Sequence, residues 1–248
     1  MKKFSFLIDK YRLLFYTILA GILVFVVSCD DNSRSLGTFR ISVATVIPEG
    51  IHTYSLQLDN GKRLWPAASD VMYNPTDNQR VFINYTILSE KLGEYDHYIK
   101  VNDIWDILTK QTVELTNEND NKIGNDPLKI NDIWVGGDYL NVSFMFNYSG
   151  ERPHFINLVE NNGLEFRHNS YGSTNTNLYE GFVCFDLKPF RANETDSVEL
   201  SIKVLEWADG PNSDTKEIIY DVIYKYNQPT LQARVEMPIP VISSSEYY

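Results

Sequence analysis

The sequence predicts an all-β chain in two parts: an OB-like five-stranded barrel, then a β-sandwich of immunoglobulin-like type. Three observations carry that expectation. Aromatic residues make up 13% of the 248 residues, with 16 Tyr and 13 Phe, a bias that suits pleated strands. Beyond residue 38 apolar residues recur at alternate positions in short runs punctuated by Asn, Asp, Gly and Pro. No long segment of helical periodicity follows residue 28. With 43% hydrophobic and 22% charged residues the chain can bury a core.

Residues 1–28 form a leader rather than part of the fold. Lys2, Lys3, Lys10 and Arg12 give a basic start, and Leu13 to Val27 run without a charge. As a helix those residues would reach about 22 Å, short of a hydrocarbon core of roughly 30 Å. Val26-Val27-Ser28-Cys29 follows, and it resembles a bacterial lipobox: apolar, then small, then cysteine. Cleavage before Cys29 would free its amine, and acylation of thiol and amine together would anchor the chain stably where a single chain would not. It would also remove four bases and one acid from 22 and 33, moving the formal charge from −11 to −14. Residues 29–37 are then a polar, acylated tether. The expected address is the bacterial cell envelope, as an outer-membrane lipoprotein facing the periplasm or the surface. Asp30 and Asp31 resemble a surface-export signal in some diderms and a retention signal in others.

The barrel is assigned residues 38–111. Phe39, Ile41, Val43 and Thr45 alternate up to Pro48-Glu49-Gly50. Tyr54, Leu56 and Leu58 lead into Asp59-Asn60-Gly61-Lys62, a hairpin signal, and Leu64-Trp65-Pro66 follows. Asn74-Pro75-Thr76-Asp77 marks a turn, Val81, Ile83, Tyr85 and Ile87 alternate again, and Tyr98 to Leu108 form a fifth run. The sandwich is assigned residues 112–248. Its opening stretch, Asn117 to Pro127, is a polar loop with oxygen ligands but no EF-hand frame, since Lys122 stands where glycine is needed. Strand candidates follow at 139–148, 154–159, 178–187, 198–207 and 217–226, with Asn169 to Asn177 a loop.

Lys100-Val101-Asn102-Asp103-Ile104-Trp105 recurs, five letters in six, as Lys129-Ile130-Asn131-Asp132-Ile133-Trp134. Asn-Asp reads as a turn that feeds Ile and Trp into a strand. Alternation sends those two to opposite faces, and the larger Trp105 and Trp134 are expected in the cores.

Two segments carry a family resemblance: Asp59-Asn60-Gly61-Lys62-Arg63-Leu64, and Ile130 to Val142 with Trp134-Val135-Gly136-Gly137-Asp138-Tyr139-Leu140-Asn141 at its heart. Behind a lipobox, they resemble the NigD-like lipoproteins. The resemblance implies an N-terminal OB-like domain and a C-terminal β-sandwich. It implies no established activity and no catalytic residues; the family name comes from a bacteriocin locus, which points to immunity or an envelope accessory role.

The residues offer little chemistry. His52, His97, His154 and His168 form no zinc spacing. Cys184, between Val183 and Phe185, reads as a small buried hydrophobe rather than a nucleophile. No nucleophile elbow or phosphate loop occurs. No catalytic residue, metal ligand or cofactor is assigned. Asp196-Ser197-Val198 matches a three-residue O-glycosylation pattern of exported diderm proteins, making Ser197 a candidate glycan site. Residues 38–111 carry a charge of −2 and residues 112–248 one of −11, which argues against nucleic acid as the barrel's ligand. The expectation is a non-enzymatic binding module with the membrane, and a protein or glycan, as partners. Alternatives are a bacteriocin-associated immunity or secretion accessory protein, and a glycan-directed hydrolase.

Overall fold

The computed structural model describes residues 39–89, 91, 93–192, 195–226 and 247–248. Cys29 and its lipobox lie outside the described residues. Strands dominate. β1 (Phe39–Pro48), β2 (Tyr54–Leu58), β3 (Arg63–Ser69), β4 (Arg80–Ser89) and β5 (His97–Asp106) close into a barrel in the order β1-β2-β3-β5-β4. Every pairing is antiparallel except β3 with β5. The Asp59–Lys62 turn joins β2 to β3 as the sequence predicts, with Gly61 at φ 81°.

Two sheets follow. One holds β6 (Leu108–Lys110), β12 (Leu178–Asp186), β9 (Tyr139–Asn147) and β8 (Lys129–Gly136) in that order. The other runs β14 (Thr215–Lys225), β13 (Ser197–Trp207), β11 (Leu164–Asn169), β10 (Phe155–Glu160) and β7 (Val113–Glu114). β6 pairs with β12, so the sandwich sheet begins inside the stretch that the sequence gives to the barrel. The polar stretch 117–127 contains one turn of helix, α1 (Asp120–Ile123), where the sequence indicates only loop. Tyr247 and Tyr248 extend the β10 edge beside β7. The Tyr248 amide donates to the His154 carbonyl, the Ile156 amide donates to the Tyr248 carbonyl, and the Tyr247 ring is buried against Phe144 and Phe146.

Three apolar clusters form among the described residues. Ala44, Val46, Leu56, Leu64, Val81, Ile83 and Ile99 line the barrel. Leu140, Val142, Phe144, Ile156, Phe166, Ile202 and Val204 are among those filling the sandwich. A third cluster lies between them: Val43, Phe82 and Ile107 from the barrel side meet Tyr139, Phe182 and Cys184, with Trp134 packed on them. This junction explains why β1 and β4 are buried on both faces. Ala44 and Val46 point into the barrel, whereas Val43 faces the sandwich.

The repeated hexapeptide is a repeated β-bulge in mid-strand, not a turn. On β5, Val101 pairs with Tyr85 and Asp103 with Asn84, leaving Asn102 extra. On β8, Ile130 pairs with Phe144 and Asp132 with Ser143, leaving Asn131 extra. In each copy the aspartate accepts from the next amide: Ile104 N–H to Asp103 at 2.9 Å, Ile133 N–H to Asp132 at 3.0 Å. The extra residue reverses the facing of everything after it. Ile99 and Val101 face the barrel core, and after the bulge Ile104 does so in place of Trp105. Trp105 is 40% exposed, which corrects the expectation that it is a core residue. On β8 the same inversion sends Ile133 and Val135 to the sandwich core, while Trp134 meets Phe182 edge-on at 5.6 Å in the junction.

The two tryptophans should therefore differ in worth. Trp134→Ala is expected to cost about 2–3 kcal/mol and Trp105→Ala less than about 1 kcal/mol, because only the first opens space in a packed cluster. Paired chemical-denaturation curves measure this; equal losses would contradict the bulge account.

Candidate functional site

The junction is built around one buried cation. Arg80 opens β4 with no exposed surface. Its guanidinium pairs with Asp59 at 2.7 Å and donates to Asn141 Oδ1 and to Thr45 Oγ1, each at 2.9 Å. It stacks over the Tyr139 ring, 4.8 Å from the centroid. Asn141 donates in turn to the second Asp59 oxygen at 3.1 Å. The Cys184 thiol donates to Asn141 Oδ1 at 3.1 Å. Asp59 and Arg80 come from the barrel; Asn141, Tyr139 and Cys184 come from β9 and β12, neighbouring strands in which Cys184 and Asn141 are paired. Burial is the largest single influence on Arg80 and lowers its pKa, but Asp59 and Cys184 together outweigh it, and the guanidinium is held charged. Burial pushes the Cys184 thiol up to about 11 against the opposing pull of Arg80, so it is a protonated donor at neutral pH.

Nearly every residue of the segment 134–141 has a part in this junction. Trp134 packs in it. A side chain at Gly136 would place Cβ 2.0 Å from Asp59 Oδ2, so only glycine lets the carboxylate seat. Gly137 turns the β8–β9 hairpin at φ 57°. Asp138 accepts from Arg191 and from the Tyr224 hydroxyl, the latter at 2.7 Å. Tyr139 donates to the Asn78 carbonyl at 3.1 Å, and burial lifts its phenol to about 12. Sequence reasoning singled out this segment as a motif but could not see that it and the Asp59 hairpin are two halves of one contact.

Beside this network lies a cleft of about 440 Å³. Thr45, Gln57, Asp59 and Asn78 line it from the barrel, and Asp138, Tyr139, Lys188, Arg191, Lys225 and Tyr226 from the sandwich. Lys188 belongs to a single 3-10 turn, Lys188–Phe190, that follows β12. Its two carboxylates are already engaged, Asp59 by Arg80 and Asp138 by Arg191. The geometry is that of a preformed receptacle with charged walls.

The other singled-out residues lie elsewhere. His52 is in an exposed turn and His97 begins β5. His154 and His168, which the sequence treats as scattered, are brought together: Nδ1 of His154 and Nε2 of His168 are 2.8 Å apart, both rings buried beside Phe146. No group of three or more His, Cys, Asp and Glu is assembled for a metal among the described residues. Ser197 is the exposed first residue of β13, opposite Lys225. No helix among the described residues is long and apolar enough to cross a membrane.

Comparison with known proteins agrees with this architecture. Residues 43–107 match the model of the NigD-like N-terminal OB domain, and residues 111–218 that of the NigD-like C-terminal beta sandwich domain. A solved Parabacteroides distasonis structure, called toxin related, is 37% identical over 76% of this chain and 94% of its own, with a TM-score of 0.67. The chain belongs to the NigD-like family. A Bacteroides vulgatus protein of unknown function is 31% identical over 77% of this chain and 92% of its own (TM-score 0.62). A NigD-like immunity protein from Bacteroides caccae shares the fold at 18% identity, over 73% of this chain and 96% of its own (TM-score 0.58). No curated protein matches the chain. The NigD-like assignment agrees with the resemblance carried by residues 59–64 and 130–142.

Two predictions follow from the buried groups of this NigD-like chain. Arg80→Met leaves the Asp59 carboxylate buried without its cation and should cost about 3–5 kcal/mol. Adding Asp59→Leu should recover much of that loss, and denaturation midpoints of the single and double variants measure the recovery. Burial depresses His154 to about 4 and His168 to about 3, the latter further lowered by His154 and partly offset by Asp126. Unfolded histidine takes up a proton near pH 6.5, so the native state binds fewer protons below that pH. Stability should be complete above about 6.5 and fall as the pH drops towards 4, by up to about 1.4 kcal/mol per pH unit for each histidine. Melting curves across that window, flatter in His168→Gln, check the sign.

Proposed function

We propose that this NigD-like protein is a lipid-anchored component of the bacterial cell envelope that binds a partner, protein or glycan, without chemical turnover. Lipid on Cys29 would hold it to the outer membrane, with residues 30–37 as the spacer. The observation that carries the binding reading is the state of the cleft's reactive groups. Both carboxylates that line it are held by guanidinium and hydrogen-bond partners, and the nearby thiol is buried and protonated. A general base needs a free, proton-accepting lone pair aimed at substrate, whereas Asp59 and the thiol are committed to the contact between the β domains and Asp138 to pairing within the sandwich. A two-domain receptacle held to the membrane through an N-terminal spacer suits capture. The net charge of −2 over residues 38–111 speaks against nucleic acid as the partner.

A narrower reading, protection against a bacteriocin, draws on the names carried by the Parabacteroides distasonis and Bacteroides caccae proteins. Cells with and without the protein, challenged with bacteriocin-producing neighbours, would separate immunity from general binding.

The anchor has a direct test. Cys29→Ala is expected to abolish palmitate incorporation and to shift the protein out of the membrane fraction. Unchanged labelling would overturn the lipoprotein reading.

A further inference from the structure

Acidic residues outnumber basic ones 33 to 22 in this chain, yet the cleft runs against that balance. Lys188, Arg191 and Lys225 line it, three of the ten basic residues between 112 and 248, and Arg80 lies directly behind its floor. Among the lining residues Asp59 and Asp138 are the acidic ones, and each is already neutralised, by Arg80 and Arg191 respectively. Lys188 and Lys225 are left over. Neither ammonium has a carboxylate within ion-pair distance among the described residues. Lys188 instead lies 5.7 Å from the Tyr139 ring centroid, over the same aromatic that Arg80 covers. The two lysines come from separate elements, the turn after β12 and the end of β14. Gathering unpaired like charges in one concavity is unfavourable unless something anionic occupies it.

We propose that the cleft is a binding site for a small ligand bearing a carboxylate or phosphate group, with Lys188 and Lys225 as its anion-binding residues. Thr45, Gln57 and Asn78 supply neutral hydrogen-bonding partners for the rest of the ligand, and Tyr226 an aromatic wall. The cleft's 440 Å³ falls within the roughly 300–1,000 Å³ of small-molecule pockets. Charge decides against an extended polyanion. A chain with net charge −11 would repel a long phosphate or sulfate backbone that ran beyond the cleft. A compact anion meets only the cations. This assignment rests on the reading of the cleft as a binding site and adds the chemistry of what fills it.

The test uses the full chain in detergent at pH 7 and low salt, titrated calorimetrically with three probes: inorganic phosphate, glucuronate and glucose. Saturable binding of phosphate or glucuronate is expected, with the stronger of the two identifying the anionic group, and no heat from glucose. Lys188→Ala and Lys225→Ala should each weaken that binding by roughly five- to tenfold, and the double variant should abolish it, while all melt like the parent chain. Raising the salt to about 0.5 M should weaken it further. Anion binding untouched by the double variant, or no saturable anion binding at all, overturns the assignment. Saturable glucose binding that both lysine variants leave intact also overturns it, but would leave the cleft standing as a neutral-ligand site.

Discussion

The Arg80–Asp59 ion pair is the contact on which the two-domain arrangement depends. Taking both charges out of water is costly, and their attraction offsets that cost only when the remaining donors and lone pairs are also satisfied. Here Asn141, Thr45 and the Tyr139 ring meet most of that demand, and two of those three come from the sandwich, while Arg80 Nε has no hydrogen-bond partner among the described residues. The barrel alone would leave Arg80 under-coordinated on its outer face. The constraint is geometric more than energetic: apolar contacts such as Phe82 on Phe182 tolerate sliding, whereas a guanidinium locked to a carboxylate and an amide accepts one register.

Several local oddities are consequences of that lock. Gly136 is needed for the approach of Asp59, not for backbone strain, since its clash is with a side chain from the other domain. Cys184 is a small donor that completes Asn141, which accounts for a cysteine with no redox partner in a buried strand. The two Asn bulges belong to the same economy of faces. By inserting one residue, Asn131 turns Trp134 away from the sandwich core and into the junction, while Ile133 and Val135 keep the core filled. The same device on β5 has a different result, because the outer face there meets solvent and Trp105 is left exposed.

The cleft inherits its character from this arrangement. Asp138 and Tyr139 sit there because the β8–β9 hairpin must reach the barrel, and the pairing of Asp138 with Arg191 and Tyr224 ties the turn after β12 to β14. What remains uncommitted is cationic, on an acidic protein. Structure and recognition are thus adjacent but use different residues: those that hold the domains together are buried and paired, and those left to meet a ligand are the lysines.

Strand content, the barrel's five runs, the Asp59–Lys62 hairpin and the sandwich were legible in the sequence because they rest on local signals, two-residue alternation and turn chemistry. The segment 134–141 was legible as a motif for the same reason. Its purpose was not, since Arg80, Asp59, Asn141 and Cys184 are distant in the chain and no local rule pairs them. The alternation also misplaced Trp105: a bulge shifts the period without changing composition, and a barrel face covered by a second domain looks, in one strand, like a face open to water. The sequence determined which residues are apolar and which can turn. Only the tertiary structure decided which charges would meet, because burial of an ion pair depends on three dimensions of surrounding dipoles and not on neighbours along the chain.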